Sequence, residues 1–523
     1  MIERLKSWLL PSIADVFFIT LLFYIAFPTD KARLLGDGDT GYHIRAGEYI
    51  LSNLSVPKTD IFSYITPAIP WTAHEWLSEV IMALLHQLGG LTLLVIAFSL
   101  IIAVTVRMFY TNTLSDGNNV FLSVVATIVF LMLAMVHFLA RPHIFSLFIL
   151  LIWYRLLNDF QYRQQNRLWA LPFISLLWVN LHGGFVIGLA ILGLYIAANL
   201  LLKFTNKDLW ESSGRVKFKS LLRIFGLSTL ACLVNPIGYH IFLFPVKLLS
   251  NTYIMDRVGE FLSPNFHELQ PFKYVLFLLI IIVSYSKKKP DLIEMSLILL
   301  FTSMSLYSVR YIPLFALIVI PILLRQIDGN WLANFPQIER FILKRLHNIT
   351  AIENSAKGYL WPTLCMLLLI FLVGNGTIAH SFDRTKQPVA ALEFLKENPI
   401  AGNMFNNDEF GDFVIFFSHA QYKVFIDGRL DMYGSERLKE YNKISSFEPE
   451  WEKVIDKYHI TWIFFDTRSA FARFLSINND WHLIYSDKVA SIFVRDVPLH
   501  KRLIEKFPSV KLANYSTGAR DGS

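Results

Sequence analysis

Long apolar stretches separated by short polar segments dominate the first 380 residues of this chain. A helix needs about 20 mostly apolar residues to cross a bilayer, and somewhat fewer when flanking side chains reach the headgroups. About eleven runs satisfy this criterion. They cover roughly residues 12–28, 91–109, 119–139, 144–158, 168–180, 184–203, 220–235, 272–286, 291–308, 310–325 and 359–378. The pattern predicts a polytopic α-helical membrane protein with about eleven transmembrane helices.

After about residue 380 the apolar runs become short and alternate with charged segments. Predicted strands are Met404-Phe405, Phe413–Phe417, Val424–Ile426, Trp462–Phe465, His482–Tyr485 and Ile492–Val494. Predicted helices are Ala390–Glu397, Ser435–Tyr441, Glu450–Tyr458 and Ser469–Leu475. Strands interleaved with helices are typical of a small α/β domain. We therefore predict a transmembrane domain over 1–380, an α/β domain over 381–506 and a flexible tail over 507–523.

Basic residues concentrate in alternate loops between the apolar runs. They include Arg4, Lys6, Arg107, Arg155, Arg163, Arg167, six residues between Lys203 and Arg223, Lys287 to Lys289, Arg325, Arg340, Lys344, Arg345 and Lys357. Lys and Arg accumulate in cytoplasmic loops. The N-terminus is therefore predicted to be cytoplasmic, with a retained first helix rather than a signal peptide. The first loop, about 29–75, and the C-terminal domain are then extracytoplasmic.

Two further segments are predicted to lie along the membrane surface. Glu75 to Leu88 has apolar residues at helical spacing among polar ones and is followed by Gly89-Gly90, which would end an amphipathic helix. Gly238 to Asn251 is the second candidate.

Composition supports a membrane protein: 54% of the residues are hydrophobic and 17% charged, against about a quarter charged in soluble domains. The net charge of +7 resides largely in loops, and no basic stretch is interleaved with aromatic residues, so nucleic acid is not an expected partner. The two cysteines, Cys232 and Cys365, lie in apolar runs and indicate neither a disulfide framework nor a metal site.

Polar and titratable residues gather at the predicted outer ends of the helices. They are Asp37, Asp39, His43, His74, Glu75, Arg141, His143, Asn180, His182, Asn235, Glu260 and Arg310. Charge inside hydrocarbon is costly, so polar clusters at its edge are functional candidates. We interpret this set as an active site assembled from several helix ends. The alternative is that helix ends at a membrane surface are polar in any case.

Three local motifs lie within this set. They are Asp37-x-Asp39-x-x-Tyr42-His43-x-x-x-Gly47, Trp71-x-x-His74-Glu75-Trp76-Leu77 and Trp178-Val179-Asn180-Leu181-His182-Gly183. Together with the long first loop and the C-terminal domain, they make residues 1–380 resemble the GT-C membrane glycosyltransferases. That superfamily includes protein O-mannosyltransferases, aminoarabinose transferases and the catalytic subunits of oligosaccharyltransferases. Many relatives carry an Asp-Glu pair, whereas this chain has Asp-x-Asp, which leaves the choice of catalytic base open.

The resemblance implies transfer of a sugar from a polyprenyl-phosphate-linked donor to a glycan, lipid or protein acceptor, at the outer face of a bacterial cytoplasmic membrane. Asp37 or Asp39 would be the base that takes the acceptor proton. His74 and Glu75 would orient the acceptor, act as an alternative base or help hold a metal. Cations would stabilise the leaving phosphate, because Arg can bind two of its oxygens. The substrate-binding set comprises His43, Arg141, His143, Asn180, His182, Glu260 and Arg310.

Other interpretations of single residues stay open. Arg141 could reach the lipid headgroups, Asn180 and His182 could satisfy a helix end, and His74-Glu75 could cap the amphipathic helix. A divalent metal is possible because Asp, Glu and His are present, but no firm ligand spacing supports one, so no cofactor is assigned. In the C-terminal domain, the polar segment Asn406–Asp412 stands out, and Asp427-Gly428 after an apolar run is interpreted first as a turn, whose loop could also contact a sugar or the mouth of the membrane domain.

Two other functions compete with the enzyme. A transporter or flippase of a lipid-linked saccharide should carry polar groups at mid-membrane, often in repeated halves, and neither pattern is seen here. A non-catalytic scaffold of an envelope polysaccharide assembly is the other alternative.

Overall fold

The computed structural model describes residues 8–27, 33–117, 119–327, 359–419 and 421–513, together with residues 349, 350, 353 and 356. Several predictions lie outside the described residues. They concern the basic residues Arg4, Lys6, Arg340, Lys344, Arg345 and Lys357, and the part of the tail from residue 514 onwards.

The described part of the chain is mainly helical. Its helices of six or more residues are α1 (Ile13–Ala26), α2 (Asp39–Asn53), α3 (Trp76–Ser115), α4 (Val120–Ala134), α5 (His143–Arg163), α6 (Ala170–Leu181), α7 (Phe185–Thr205), α8 (Arg215–Ala231), α9 (Phe244–Ser250), α10 (Pro271–Tyr285), α11 (Leu292–Tyr307), α12 (Ile312–Gln326), α13 (Leu360–Gly374), α14 (Val389–Glu397), α15 (Asp408–Phe417), α16 (Leu430–Ser445), α17 (Trp451–Lys457), α18 (Ala470–Leu475) and α19 (Lys501–Lys506). Shorter helical segments are Arg33–Leu35, Met135–His137, Lys207–Leu209, Trp210–Gly214, Gly238–Phe242, Thr252–Met255, Gly259–Phe261, Val309–Tyr311 and Pro498–His500.

Each of the eleven predicted apolar runs contains a helix. The predicted helical character of these runs is therefore confirmed. Among the described residues, five helical segments are long and apolar enough to cross a membrane. They are Trp76–Ser115, Val120–His137, His143–Arg163, Phe185–Thr205 and Val309–Gln326. Shorter apolar helices are α1, α6, α10, α11 and α13. The number of crossings, about eleven, stays a prediction.

Local signals set several helix ends. The Ser12 side chain accepts a hydrogen bond from the Asp15 amide at the start of α1, and the Asp15 carboxylate accepts one from the Ser12 amide, which forms a capping box. Within α3, Gly89 and Gly90 leave helical geometry, and Gly90 has a φ of 62°, a conformation that glycine adopts without strain. The predicted end of the amphipathic segment at Gly89-Gly90 is therefore confirmed.

The C-terminal segment contains a four-stranded sheet. Its strands are β1 (Asn403–Asn406), β2 (Ile460–Asp466), β3 (Trp481–Ser486) and β4 (Ala490–Arg495), in the order β1-β2-β4-β3. β1 runs parallel to β2, and the other two pairs are antiparallel. Four predicted strands and all four predicted helices of this segment are confirmed.

Two predicted strands are wrong. Phe413–Phe417 belongs to helix α15, and Val424 makes only an isolated bridge to Ser63. The Asn407 side chain caps α15 by accepting a hydrogen bond from the Glu409 amide, and acidic residues occupy its first turn. These features favour a helix start. The run was mistaken for a strand because it is buried almost throughout and shows no helical alternation.

The chain forms two compact units, each made of segments distant in sequence. The first, here called the helical unit, contains residues 1–29, 92–247 and 255–379. The second, here called the mixed unit, contains residues 30–91, 248–254 and 380–523. The first loop and the sheet-bearing C-terminal segment thus share one unit. The domain limits drawn along the chain, at residues 380 and 506, stay predictions.

Candidate active site

Glycines bring the Asp37-x-Asp39 motif against helix α15 in the mixed unit. A Cβ atom added at Gly38 would lie 2.8 Å from the Asp412 Cβ, and one at Gly41 would lie 2.8 Å from the Phe416 Cβ. Real side-chain carbons do not approach so closely, so both positions need glycine. The first residues of α2 therefore pack so closely on α15 that Gly38 and Gly41 leave no room for a side chain. Acids more than 370 residues apart in sequence meet there.

The acid from α15 lies beside the loop that follows Ile426. Asp412 is 2% exposed, and both of its carboxylate oxygens lie 3.2 Å from the Gly428 amide, which donates to them. A Cβ added at Gly428 would overlap the Asp39 Oδ1 and lie 2.9 Å from the Asp412 Oδ2. Burial, reinforced by the charge of Asp427, raises the pKa of Asp412 well above its usual range.

Exposure separates the acids of this cluster. Asp37 and Asp39 are partly exposed, whereas Asp412 and Asp427 are buried. The two acids of the first loop are therefore the more exposed pair of this cluster.

A buried arginine links the first loop to the C-terminal segment. Arg429 donates to both carboxylate oxygens of Asp427, at 2.8 and 2.6 Å, and pairs with Asp60 at 2.8 Å. The Tyr433 hydroxyl donates to Asp427 at 2.7 Å, and the Trp71 ring lies 4.4 Å from the guanidinium carbon. The Asp427-Gly428 turn is therefore part of a buried ion-pair network. Its predicted contact with a sugar stays a prediction.

His43 lies on the buried face of α2. Its Nδ1 is 3.4 Å from the Oε1 of Glu79, and both side chains are buried. Burial lowers the pKa of His43 to about 4, although the nearby charges of Glu75 and Asp37 oppose the shift. The imidazole is therefore neutral at pH 7.

His74 and Glu75 form a second pair close by, with the His74 Nε2 3.7 Å from the Glu75 Oε1. The charges of His74, Glu75 and Asp37 all act on His43. The mixed unit thus brings together five predicted site residues, namely Asp37, Asp39, His43, His74 and Glu75.

A third glycine of the motif allows α2 to touch α3. A Cβ added at Gly47 would overlap the Glu79 backbone carbonyl and lie 2.8 Å from the Ala83 Cβ. We expect Gly47→Ala to destabilise the protein by about 1–3 kcal/mol, because neither neighbour is a flexible side-chain end. Thermal unfolding of purified protein in detergent, followed by tryptophan fluorescence, would measure the loss.

Gly193→Ala is the matched control for this prediction. Gly193 is also helical, in α7, but no atom lies within 4 Å of its added Cβ. Alanine there should be neutral or should stabilise by about 0.5–1 kcal/mol. Equal melting temperatures of Gly47→Ala and native protein would contradict the packing described here.

In the helical unit, one carboxylate lies between two arginines. The Glu260 Oε1 is 3.1 Å from an Arg310 nitrogen, and its Oε2 is 3.7 Å from an Arg141 nitrogen. The neighbouring His143 Nε2 lies 2.7 Å from the His137 backbone oxygen. Predicted site residues Arg141, His143, Glu260 and Arg310 therefore lie close together.

Asn180 and His182 lie at the turn between α6 and α7. The His182 Nδ1 accepts from the Gly184 amide at 3.0 Å and lies 2.7 Å from the Ser146 hydroxyl. The Asn180 amide donates to the backbone oxygens of Leu176 and Val234, at 2.8 and 2.9 Å. These bonds satisfy the helix end, as the alternative interpretation proposed. A role of either residue in substrate binding stays a prediction.

The predicted site residues are thus divided between the two units. Whether both sets line a common reaction chamber stays a prediction.

Sequence reasoning missed Asp412, Asp60, Arg429 and Glu79 as parts of this arrangement. Asp412 is the last residue of the polar segment Asn406–Asp412, and Arg429 directly follows the Asp427-Gly428 turn. Asp60 lies in the first loop and Glu79 in the predicted amphipathic segment Glu75 to Leu88, and neither stands in a distinguishing pattern. No spacing rule could have paired them, because their partners lie far away in sequence.

Among the described residues, no three His, Cys, Asp or Glu side chains are arranged to hold a metal ion.

No family model matches this sequence, and no curated protein matches it. Solved structures do match its fold. The apo oligosaccharyltransferase of Archaeoglobus fulgidus superposes with a TM-score of 0.54 at 14% identity, covering 95% of this chain and 75% of that chain. The archaeal oligosaccharyltransferase AglB from Archaeoglobus fulgidus, in complex with an inhibitory peptide and a dolichol-phosphate, gives a TM-score of 0.54 at 13% identity, with the same coverages.

A third structure, the Archaeoglobus fulgidus enzyme in complex with Zn and sulfate, gives a TM-score of 0.55 at 14% identity, covering 93% of this chain and 73% of that chain. These neighbours are glycosyltransferases of the GT-C superfamily. The predicted GT-C-like architecture is therefore supported at the level of fold, while the predicted branch, protein O-mannosyltransferase or aminoarabinose transferase, stays a prediction.

Proposed function

We propose that this protein is an integral membrane glycosyltransferase that moves a sugar from a polyprenyl-phosphate-linked donor to an acceptor at the outer face of the cytoplasmic membrane. One observation carries the proposal. On a fold similar to that of membrane oligosaccharyltransferases, the two partly exposed acids of the Asp37-x-Asp39 motif are held against a buried acid, Asp412, by glycine contacts.

Asp39 is the proposed base. It is the first residue of α2, and its Oδ1 lies next to Gly428, so its position is set by the packing of two segments. As the acceptor oxygen attacks the anomeric carbon, its proton passes to the Asp39 carboxylate. The new glycosidic bond forms while the bond from the anomeric carbon to the phosphate oxygen breaks. The sugar is transferred with inversion, and the lipid phosphate leaves.

Arg141 and Arg310 are the proposed partners of that phosphate. Guanidinium groups bind phosphate oxygens through paired charged hydrogen bonds and stabilise the charge that develops on the leaving group. One neighbouring structure holds a dolichol-phosphate, and another is tethered to an acceptor peptide containing the NVT sequon. These ligands support a lipid-phosphate donor here, with a glycan, lipid or protein as acceptor.

The protein is proposed to reside in a bacterial inner membrane. Its N-terminus would be cytoplasmic, and its C-terminal sheet would face outward together with the first loop.

The side on which the donor accumulates tests this function against the two alternatives. In cells lacking the protein, the saccharide lipid should accumulate at the outer leaflet, because the proposed enzyme consumes it there. Periodate added to spheroplasts, which does not cross the membrane, should oxidise the sugar of this lipid. Lipid protected until the cells are permeabilised would instead indicate a flippase.

The scaffold alternative is tested by a point variant in the same cells. If the protein only scaffolds an assembly, a variant that lacks the proposed base should remove the accumulated lipid to the same extent as the native protein. We expect native protein to remove it and Asp39→Asn to leave it in place.

A further inference from the structure

The Glu260 carboxylate occupies the position between Arg141 and Arg310 that an anionic ligand would take. Its two oxygens face different arginines, at 3.1 Å for Arg310 and 3.7 Å for Arg141. The side chains of Glu260, Arg141 and Arg310 are 27%, 19% and 33% exposed, respectively. The cluster is therefore open to a ligand from outside the helices.

The backbone around Glu260 is anchored. The Ser308 hydroxyl donates to the Glu260 backbone oxygen at 2.8 Å, and the Val309 amide donates to the Leu262 oxygen at 3.0 Å. A Cβ added at the preceding Gly259 would meet no atom within 4 Å. Because these bonds hold the main chain, the Glu260 side chain can move without rearranging the segment.

The Glu260 carboxylate is ionised and faces the guanidiniums of Arg141 and Arg310. Burial alone would raise the pKa of Glu260, but the guanidiniums of Arg310 and Arg141 lower it to about 2. The carboxylate is therefore an anion at any physiological pH. The two guanidiniums that pair with this carboxylate would attract a more highly charged anion more strongly than a singly charged one.

We propose that Glu260 is an internal competitor for the donor phosphate: its carboxylate holds Arg141 and Arg310 while no donor is bound, and the phosphate of the lipid-linked donor displaces it. This inference rests on the proposed phosphate role of the two arginines. A phosphate offers more oxygens than a carboxylate to two guanidiniums. Weakly charged anions, by contrast, gain too little from the arginines to displace Glu260. The competition would thus favour phosphate-bearing lipids over other anions.

Binding of farnesyl phosphate to the purified full-length protein tests the proposal. Affinity would be measured by microscale thermophoresis for native protein, Glu260→Gln, Arg310→Gln and the control Glu268→Gln. Glu268 is an exposed acid of the same loop that contacts Asn265. Inorganic phosphate, titrated in parallel, separates recognition of the phosphate group from recognition of the lipid chain.

We expect Glu260→Gln to bind farnesyl phosphate about tenfold more tightly than native protein, because a charged competitor has been removed. Arg310→Gln should bind more weakly, and Glu268→Gln should match native protein. Tightening toward both ligands would identify the phosphate group as the displacing species. Tightening toward farnesyl phosphate alone would show that the lipid chain must be present for the displacement.

Unchanged or weaker binding by Glu260→Gln would overturn the proposal, because it would show that the carboxylate only positions the arginines. If Glu260→Gln does not fold, Glu260→Asp decides: its shorter side chain keeps the charge but weakens both contacts, so it should tighten binding about threefold, and unchanged affinity would overturn the proposal. The binding measurement does not require sugar transfer. Failure of the proposed enzymatic function would therefore be seen separately, as loss of the donor-sidedness result.

Discussion

Replacing Asp39 by Asn is expected to lower the rate of sugar transfer by about 10² to 10⁴-fold, the usual contribution of a positioned general base. The amide keeps the shape of the side chain but cannot accept the acceptor proton. Asp39 is partly exposed, so the change should leave folding intact. Release of polyprenyl phosphate from the donor lipid, measured in membranes carrying native or variant protein at equal levels, gives the rate.

Two further variants make this prediction specific. Asp37→Asn should reduce the rate less than Asp39→Asn, since Asp39 is the proposed base and Asp37 contributes charge beside it. Asp480→Asn changes an exposed acid of the C-terminal segment and should leave the rate unchanged. Equal activity of Asp39→Asn and native protein would refute the assignment of the base, and greater loss from Asp37→Asn would transfer the role to that residue.

The apolar helices of the helical unit could be predicted because each depends on its own stretch of sequence. Apolar composition over 15 to 20 residues is enough to identify a helix in a membrane. The break at Gly89-Gly90 was equally local, because glycine permits the positive φ found there. In the C-terminal segment, the pattern of short apolar runs between charged segments identified four strands correctly. The same criterion failed at Phe413–Phe417. Nearly every residue of this run is apolar and buried, so the sequence shows no periodic pattern that would distinguish a helix from a strand.

The candidate site could be predicted only in part, because its contacts join distant segments. The first-loop acids were identified from their own motif. Their contact with Asp412 depends on Gly38 and Gly41 facing α15, and nothing in either segment alone indicates the other. For the same reason, the sequence around Arg429 indicated only a turn, whereas its partners Asp60 and Trp71 lie in the first loop. Contacts of this kind are fixed by tertiary packing, which a single sequence does not display.

Glutamine in place of Arg429 is expected to destabilise the mixed unit by about 3–5 kcal/mol, because breaking a buried ion pair leaves an uncompensated charge. The Arg429 side chain is 2% exposed, and Asp427 and Asp60 are 0% and 1% exposed. Both carboxylates would lose the guanidinium that pairs with them, and Trp71 would lose the guanidinium stacked on its ring. Thermal unfolding in detergent and proteolysis of the C-terminal segment would both report the loss.

The network can be distinguished from ordinary surface charge by two comparisons. Arg468→Gln removes an exposed arginine that pairs with Asp466, and it should cost at most about 1 kcal/mol. Adding Asp427→Asn and Asp60→Asn to Arg429→Gln should recover part of the lost stability, because the buried carboxylates are then neutral. If Arg429→Gln melts like Arg468→Gln, or the added substitutions only deepen the loss, the buried charges do not join the first loop to the C-terminal segment in the way the geometry indicates.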